Sequence, residues 1–556
     1  MLLALCAALS PGAATARLVQ AVIAAPDHHA AEAVRKILAE GGSLMDAAIA
    51  AELVLAVVEP GETGPGGGGF LFYRDGATGR LTVYDGRETA PAAAHPARFL
   101  LPGGLPMPKP LAVISGRSVG VPGLIAMLAA AHADHGRLPW ARLFEPAIEI
   151  AESGVPLPPR LAAQLDSDPT LDLVEGTRRL FGDIVDRPAG RLRNPALADS
   201  LRRIAADGPQ AIYRGDLAGR IAAATRARRP FAGDMRRADL AGYRARRRAA
   251  LCGDYRGWRV CGPPPPSSGA IAILQILGLL ERMDFTRHPP LSARAIHLVA
   301  EASRLAYADR RRHIGDPDFV DVPVRDLLSA PYLDARAALI SPRRAMRSAP
   351  AGAPPEAIGQ PDAAPPPADG NTSHLSIMDA QGNAVALTGS LEAPFGSRIA
   401  VGGFLLNNQL TDFDVRPGRN GYPRANAVAP GKRPMSAMSP IIVTDKAGRV
   451  RLVVGSRGGP RIIAYVVKVL VAVLDWEMTA ADAVALPNFV HTGNALELEA
   501  GTRLEALAPS LRAMGHEVDI AMLTSGLHAV EWTEAGPAGG ADPRLGGAVR
   551  VIRTDR

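Results

Sequence analysis

The chain has 556 residues, a formal net charge of +7, and 47% hydrophobic, 4% aromatic and 21% charged residues. That length exceeds one simple compact domain, and the composition is that of a globular protein with a large aliphatic core, built as one elaborated domain or two intimate ones. No interior run of about 20 apolar residues occurs, which excludes a transmembrane helix there.

Residues 1–16, MLLALCAALSPGAATA, join a short apolar run to small residues in an A-x-A pattern. They read as a signal peptide without a basic n-region, the alternatives being an N-terminal helix or a wrongly assigned start. Asp27, His28 and His29 offer metal-ligand types, but the sequence places no further ligand beside them, so a loop and no metal are expected. From about residue 28 the pattern is helical. HAAEAVRKILAE ends at a Gly-Gly break, and Ser43 is placed to cap MDAAIAAELVLAVV. GETGPGGGGF, residues 61–70, is glycine-rich like a phosphate cradle, but it lacks the Lys-Ser/Thr of a P-loop and precedes a strand. A tight packing turn is the reading. FLFYRDGATGRLTVYDGRE predicts a hairpin around Asp75-Gly76.

Residues 120–340 are mostly helical. Arginine supplies most of the positive charge, densest in Arg244-Ala245-Arg246-Arg247-Arg248. That run has no aromatic platform, so it reads as a solvated face and not a nucleic-acid patch. The charge excess favours small anionic substrates through the summed field. Of three cysteines, Cys6 would leave with the leader. If Arg256-Gly257 is a hairpin tip, Cys252 and Cys261 lie opposite each other at a separation a disulfide spans. A bridge, and hence an oxidising compartment, is expected; the alternative is two buried free thiols. Pro263-Pro264-Pro265-Pro266-Ser267-Ser268-Gly269 interrupts the helices. Residues 341–371, rich in Pro, Ala and Gly, read as an extended or disordered linker. After it come two alternating strands around Gln381-Gly382-Asn383, the strand RLVVGS, the buried helix RIIAYVVKVLVAVLDW, and a late helix and strand in TRLEALAPSLRAMGHEV.

The linker runs into DGNTSHLSIMD, residues 369–379, where a strand begins abruptly at Asn371-Thr372. This segment, with VVEPGETGPGGGGF, YDGRETAP, GVPG, EASRLAYADR, GDPDF, FGSRI, GFLLNNQLTDF, GKRPMSAMSP, GSRGGPRII and ADPRLGG, resembles the gamma-glutamyltranspeptidase family in the family's own order over nearly the whole chain. The resemblance implies an α+β fold, the four-layer αββα sandwich of the N-terminal nucleophile hydrolases. It also implies a precursor that cuts itself between Asn371 and Thr372 into a large subunit, 17–371, and a small one, 372–556, which stay together as a heterodimer. The chemistry explains the cut. An internal Thr hydroxyl is a poor nucleophile without an adjacent base. Cleavage gives Thr372 a free α-amine, whose reference pKa of about 7.7–8 suits a general base.

Other roles follow from the resemblance, position by position. Ser390 stands where the family has a second Thr that hydrogen-bonds the new amine. Gly458 and Gly459 match the oxyanion-hole pair, and Arg87 the arginine that pairs with the substrate α-carboxylate. Gln409 and Asp412 match residues that hold the α-amino group, and Ser436 the first of two carboxylate-binding serines. The second serine is Ala437 here, and the family's Asn near the amino group is Glu392. Glu392 suits an ammonium or repels an acyl group bearing only carboxylates. The segment from Phe413 to Lys432 is shorter than the tyrosine-bearing lid of some members, and whether Tyr422 takes the lid's part stays open. His374 has no catalytic role in the motif and reads as structural. No cofactor is expected.

The implied activity is hydrolysis and transfer of γ-glutamyl groups, glutathione being the obvious donor. A second possibility keeps the nucleophile and changes the acyl group, as in related members that cleave glutaryl-cephalosporins or oxamate. A third is an uncut, non-catalytic homologue, for which the Ser390, Glu392 and Ala437 substitutions leave room.

Overall fold

The computed structural model describes residues 19–186, 190–354, 370–419 and 422–553. The signal-peptide reading of residues 1–16, residues 355–369 of the 341–371 tract and the Tyr422 side chain lie outside what is described. Two antiparallel sheets form the centre. The first is ordered β13-β1-β7-β8-β2-β3-β4. Its strands are β1 (Val19–Ala25), β2 (Gly68–Arg74), β3 (Leu81–Asp85), β4 (Arg246–Ala249), β7 (Asn371–Asp379), β8 (Ala384–Glu392) and β13 (Ala548–Arg553). The second is ordered β12-β11-β10-β9-β6-β5. It comprises β5 (Leu251–Tyr255), β6 (Trp258–Gly262), β9 (Ile441–Thr444), β10 (Val450–Gly455), β11 (His528–Thr533) and β12 (Gly536–Ala541).

The sheets pack face to face because their strands alternate. Val22, Ala24, Phe70, Phe72, Met378 and Ala386 join Ile442 and Val453 in the core between the sheets. Their neighbours Ile23, Leu71, Leu375, Ile377 and Leu387 face the opposite way. There they meet α1 (His28–Ala39), α2 (Leu44–Val58) and α3 (Leu124–His135). The outer side of the second sheet is covered by α4 (Gly269–Glu281), α5 (Ala293–His313) and α6 (Ile462–Leu474). This is the four-layer αββα sandwich.

Local signals explain several elements. Ser43 caps α2 through a capping box with Asp46. The Asp75-Gly76 hairpin joins β2 to β3, and the Gln381–Asn383 turn joins β7 to β8. Tyr255 pairs with Trp258 and Cys252 with Cys261, so Arg256-Gly257 is the hairpin tip, and the two cysteines are joined as a disulfide.

Some details depart from the sequence reading. The late helix is broken into a short 3₁₀ turn, Arg503–Leu507, and a helix, Ala508–Ala513, because Pro509 starts a new helix more readily than it continues one. The first part of the 341–371 tract is tied down: Met346 N–H donates to Glu301, Gly352 N–H to Asp309, and Ala345 N–H to the Met514 carbonyl. The arginine run keeps the exposed face expected of it and adds an edge strand laced with acids. Arg247 pairs with Asp134, Arg248 with Asp85 and Asp318, and Arg246 with Asp318. Among the described residues, no helix is long and apolar enough to cross a membrane.

Candidate active site

The nucleophile candidate sits at the start of β7, in the middle of the first sheet. Strand alternation turns Thr372, His374 and Ser376 toward the second sheet, on the side of Met378. Thr372 and Ser390 are cross-strand partners, with Thr372 Oγ1 3.4 Å from Ser390 Oγ. Ser390 Oγ donates to the Asn371 carbonyl at 2.8 Å, so it touches the bond expected to break. The glycine run lets this happen: a Cβ at Gly67 would stand 2.3 Å from the Ser390 carbonyl oxygen, so only glycine admits β8 so close.

One cavity is lined by Thr372, Ser390, Glu392, Arg87, Gln409, Asp412, Ser436, Ala437 and Gly459, with Arg310, Gly370 and Met435 among the others. Residues from 87 to 459 in the chain thus meet in one place. Gly458 lies just behind, where a Cβ would stand 2.7 Å from the Tyr465 ring. Gly458 and Gly459 have φ of 122° and 55°, values that favour glycine, and a Cβ on Gly370 would lie 3.3 Å from Gly459 Cα. The Gly-Gly turn therefore abuts the backbone just before the junction.

Arg87 is 1% exposed. Its guanidinium donates to Asp412 Oδ2 at 2.5 Å, to the Met435 carbonyl at 2.8 Å and to the Pro434 carbonyl at 3.0 Å. Gln409 and Asp412 share a 3₁₀ turn, and Gln409 Nε2 donates to Asp412 Oδ2 at 2.9 Å. Gln409 Oε1 is buried without a partner, an acceptor left open at the cavity. Glu392 accepts from Asn408 Nδ2, and burial, then repulsion from Asp412, lifts its carboxyl to about 7. Ser436 is fixed by the Pro-rich segment: its N–H donates to Pro266 O at 2.9 Å, and its carbonyl accepts from Ser268 N at 2.8 Å. Ser436 Oγ accepts from Met438 N–H, leaving its own proton to donate.

His374 points into the core between the sheets. Nδ1 is 2.8 Å from Thr388 Oγ1 and Nε2 is 3.0 Å from Ser376 Oγ. Burial drives its pKa well below the ordinary value, so it is neutral and engaged away from Thr372. Asp27, His28 and His29 hold one ligand atom each within 4.8 Å of one another, and Asp27 also caps α1 by accepting from His29 N–H at 2.7 Å. Three residues were not singled out from the sequence. Arg310 lines the cavity and donates to Ser268 Oγ at 2.7 Å; its signal was the EASRLAYADR stretch. Glu62 and Arg457 hold Asn371 from the far side; Glu62 lay in a stretch read as a packing turn, and Arg457 directly before the glycine pair read as the oxyanion hole.

Residues 30–552 match the family model described as Gamma-glutamyltranspeptidase. A glutathione hydrolase proenzyme of Escherichia coli (strain K12) is 37% identical over 95% of this chain and 91% of its own. An acylase ACY 1 proenzyme of Pseudomonas sp. (strain SE83) is 36% identical over 92% of this chain and 90% of its own. Among solved structures, cephalosporin acylase from Bacillus halodurans superposes with TM-score 0.84 at 25% identity, covering 99% of this chain and 100% of its own. A gamma-glutamyltranspeptidase from Pseudomonas nitroreducens gives 0.55 at 32% identity, over 59% of this chain and 97% of its own. With its αββα layers and Thr372 at the head of a central strand, the chain belongs to the gamma-glutamyltranspeptidase family of N-terminal nucleophile hydrolases.

Proposed function

We propose that the chain is a self-cleaving γ-glutamyl hydrolase and transferase that acts on glutathione-like donors. The observation that carries this is the single cavity gathering Thr372, Ser390, Gly459, Arg87, Gln409, Asp412 and Ser436. In the precursor, Thr372 Oγ1 attacks the Asn371 carbonyl carbon. The C–N bond breaks, nitrogen takes the hydroxyl proton, and the resulting ester is opened by water. The products are residues 17–371, ending in a carboxylate, and 372–556, beginning with a free amine.

That amine then accepts the Thr372 hydroxyl proton as Oγ1 attacks a donor's γ-amide. Gly458 and Gly459 N–H groups stabilise the oxyanion, a contribution of a few kcal/mol for such donors. The leaving amine departs with the proton, and water or an amino-acid amine takes the acyl group from Thr372. Arg87 and Ser436 are suited to the donor α-carboxylate. Asp412, Glu392 and the open Gln409 Oε1 are suited to its ammonium. The Cys252–Cys261 bridge supports a periplasmic or secreted location, since such bridges persist in oxidising compartments.

A second reading is an acylase for glutaryl-type amides, favoured by Ala437 and by the acylase relatives. Two carboxylates facing the acyl head, Glu392 and Asp412, weigh against a donor that lacks the ammonium. The test is intact mass of the wild type beside Thr372→Ala, with rates on γ-glutamyl- and glutaryl-p-nitroanilide. Two wild-type fragments, the smaller beginning at Thr372, are expected, with an uncut variant and faster γ-glutamyl turnover. An uncut wild type would sink the mechanism, and a glutaryl preference would replace the substrate.

A further inference from the structure

Asn371 and Ser373 point away from the catalytic cavity, toward the end of α2. Asn371 is gripped at both ends of its amide: Nδ2 donates to Glu62 Oε1 at 2.9 Å, and Oδ1 accepts from Arg457. Glu62 Oε1 also accepts from Gln164 at 2.9 Å and from Arg160. Glu62 is 2% exposed, Asn371 6% and Arg457 8%.

The backbone here is irregular in a specific way. Thr372 pairs with Ser390, but Asn371 pairs with Glu392, so the register slips at the junction and Leu391 is the extra residue. Bulges of this kind re-aim the chain at functional sites. The unpaired Leu391 N–H donates to the Glu62 carbonyl at 2.8 Å. Glu62 thus holds both strands of the bulge, β8 through its main chain and β7 through its side chain. Glu392, at φ 82°, lies in the left-handed region beside it.

We propose that Glu62 and Arg457 are positioning residues for self-cleavage. Their clamp fixes the rotation of residue 371, which presents its carbonyl carbon to Thr372 Oγ1 and its carbonyl oxygen to Ser390. The inference rests on the reading that the chain cuts at Asn371–Thr372. Neither residue lines the catalytic cavity; both face a separate groove with Arg160 and Gln164. Once the cut is made, residue 371 is a chain end and the clamp has no further part in donor turnover.

The test follows cleavage of the full chain in a cell-free translation pulse-chase for wild type, Glu62→Ala, Asn371→Ala and the double variant. Each single variant is expected to cut about 10- to 100-fold more slowly, the range that misplaced reacting groups cost. The double should be no slower than the slower single, since both break one clamp. Cut material should turn over γ-glutamyl-p-nitroanilide with kcat within about twofold of wild type. Singles that cut at the wild-type rate, slowdowns that multiply in the double, or kcat falling in parallel would each overturn the clamp. If Glu62→Ala does not fold by near-UV circular dichroism, Arg457→Lys replaces it in the cycle with the same expectations. A wild type that stays whole would overturn the cut itself, and the clamp with it; normal cutting in wild type and variants alike would overturn the clamp alone.

Discussion

Glu392 is the residue through which the acyl pocket should read its donor, and Glu392→Gln is the perturbation that exposes this. Glu392 is 5% exposed; burial and the nearby Asp412 raise its carboxyl from 4.5 to about 7. Because the folded pKa lies above the unfolded one, the stability it contributes is fully present below about pH 4.5 and is lost as pH rises through about 7. A rise of that size corresponds to about 3 kcal/mol held against ionisation. Substrate-free Glu392→Gln should therefore melt above wild type at pH 8, with the gain shrinking toward pH 5. Function runs the other way. In the proposed function the ionised carboxylate would accept from a donor's α-ammonium, and one hydrogen bond to a charged group is worth about 1.5–3 kcal/mol, or roughly 10- to 100-fold in rate. The quantity to measure is kcat/KM for γ-glutamyl-p-nitroanilide divided by that for glutaryl-p-nitroanilide. The Thr372 amine titrates in both and cancels. In wild type this ratio should climb by about 5- to 10-fold between pH 6 and 8, because a group with a pKa of about 7 goes from about one-tenth to nine-tenths ionised over that window, and in Glu392→Gln it should be low and flat. A flat wild-type ratio, or an unchanged one in the variant, would refute the role given to Glu392.

Arg87→Ala should lower kcat/KM for γ-glutamyl donors by about 100-fold or more, the loss of two charge-assisted bonds, while gels still show the cut at residue 372. Loss of the cut instead would mean that the bonds from Arg87 to the Pro434 and Met435 carbonyls are its main work. Cys252→Ser opens a loop whose ends are 9 residues apart, worth about 2–3 kcal/mol by chain entropy, so its urea midpoint should fall to that of the reduced wild type. A midpoint equal to that of the oxidised wild type would show that the bridge adds nothing.

The elements legible in the sequence are those written within a few residues. The Ser43–Asp46 capping box, the hairpins at Asp75-Gly76 and Arg256-Gly257, and the alternation that turns Thr372 one way and Asn371 the other all follow from local turn chemistry and a period of two. Motif order along the chain also marked Thr372, Ser390, Arg87, Gln409, Asp412 and Ser436 as one constellation, and the fold brings them to one cavity. Other features needed the tertiary structure. Arg87 reaches Asp412 across 325 residues and Asn371 reaches Glu62 across 309, separations over which no local pattern operates. The arginine run is the exposed face it was read as, but its acidic partners Asp134, Asp85 and Asp318 lie on other elements and could not be read from the run itself. The state of Glu392 was likewise invisible: a carboxyl's pKa is set by how much water and charge surround it, and only the packed chain decides that.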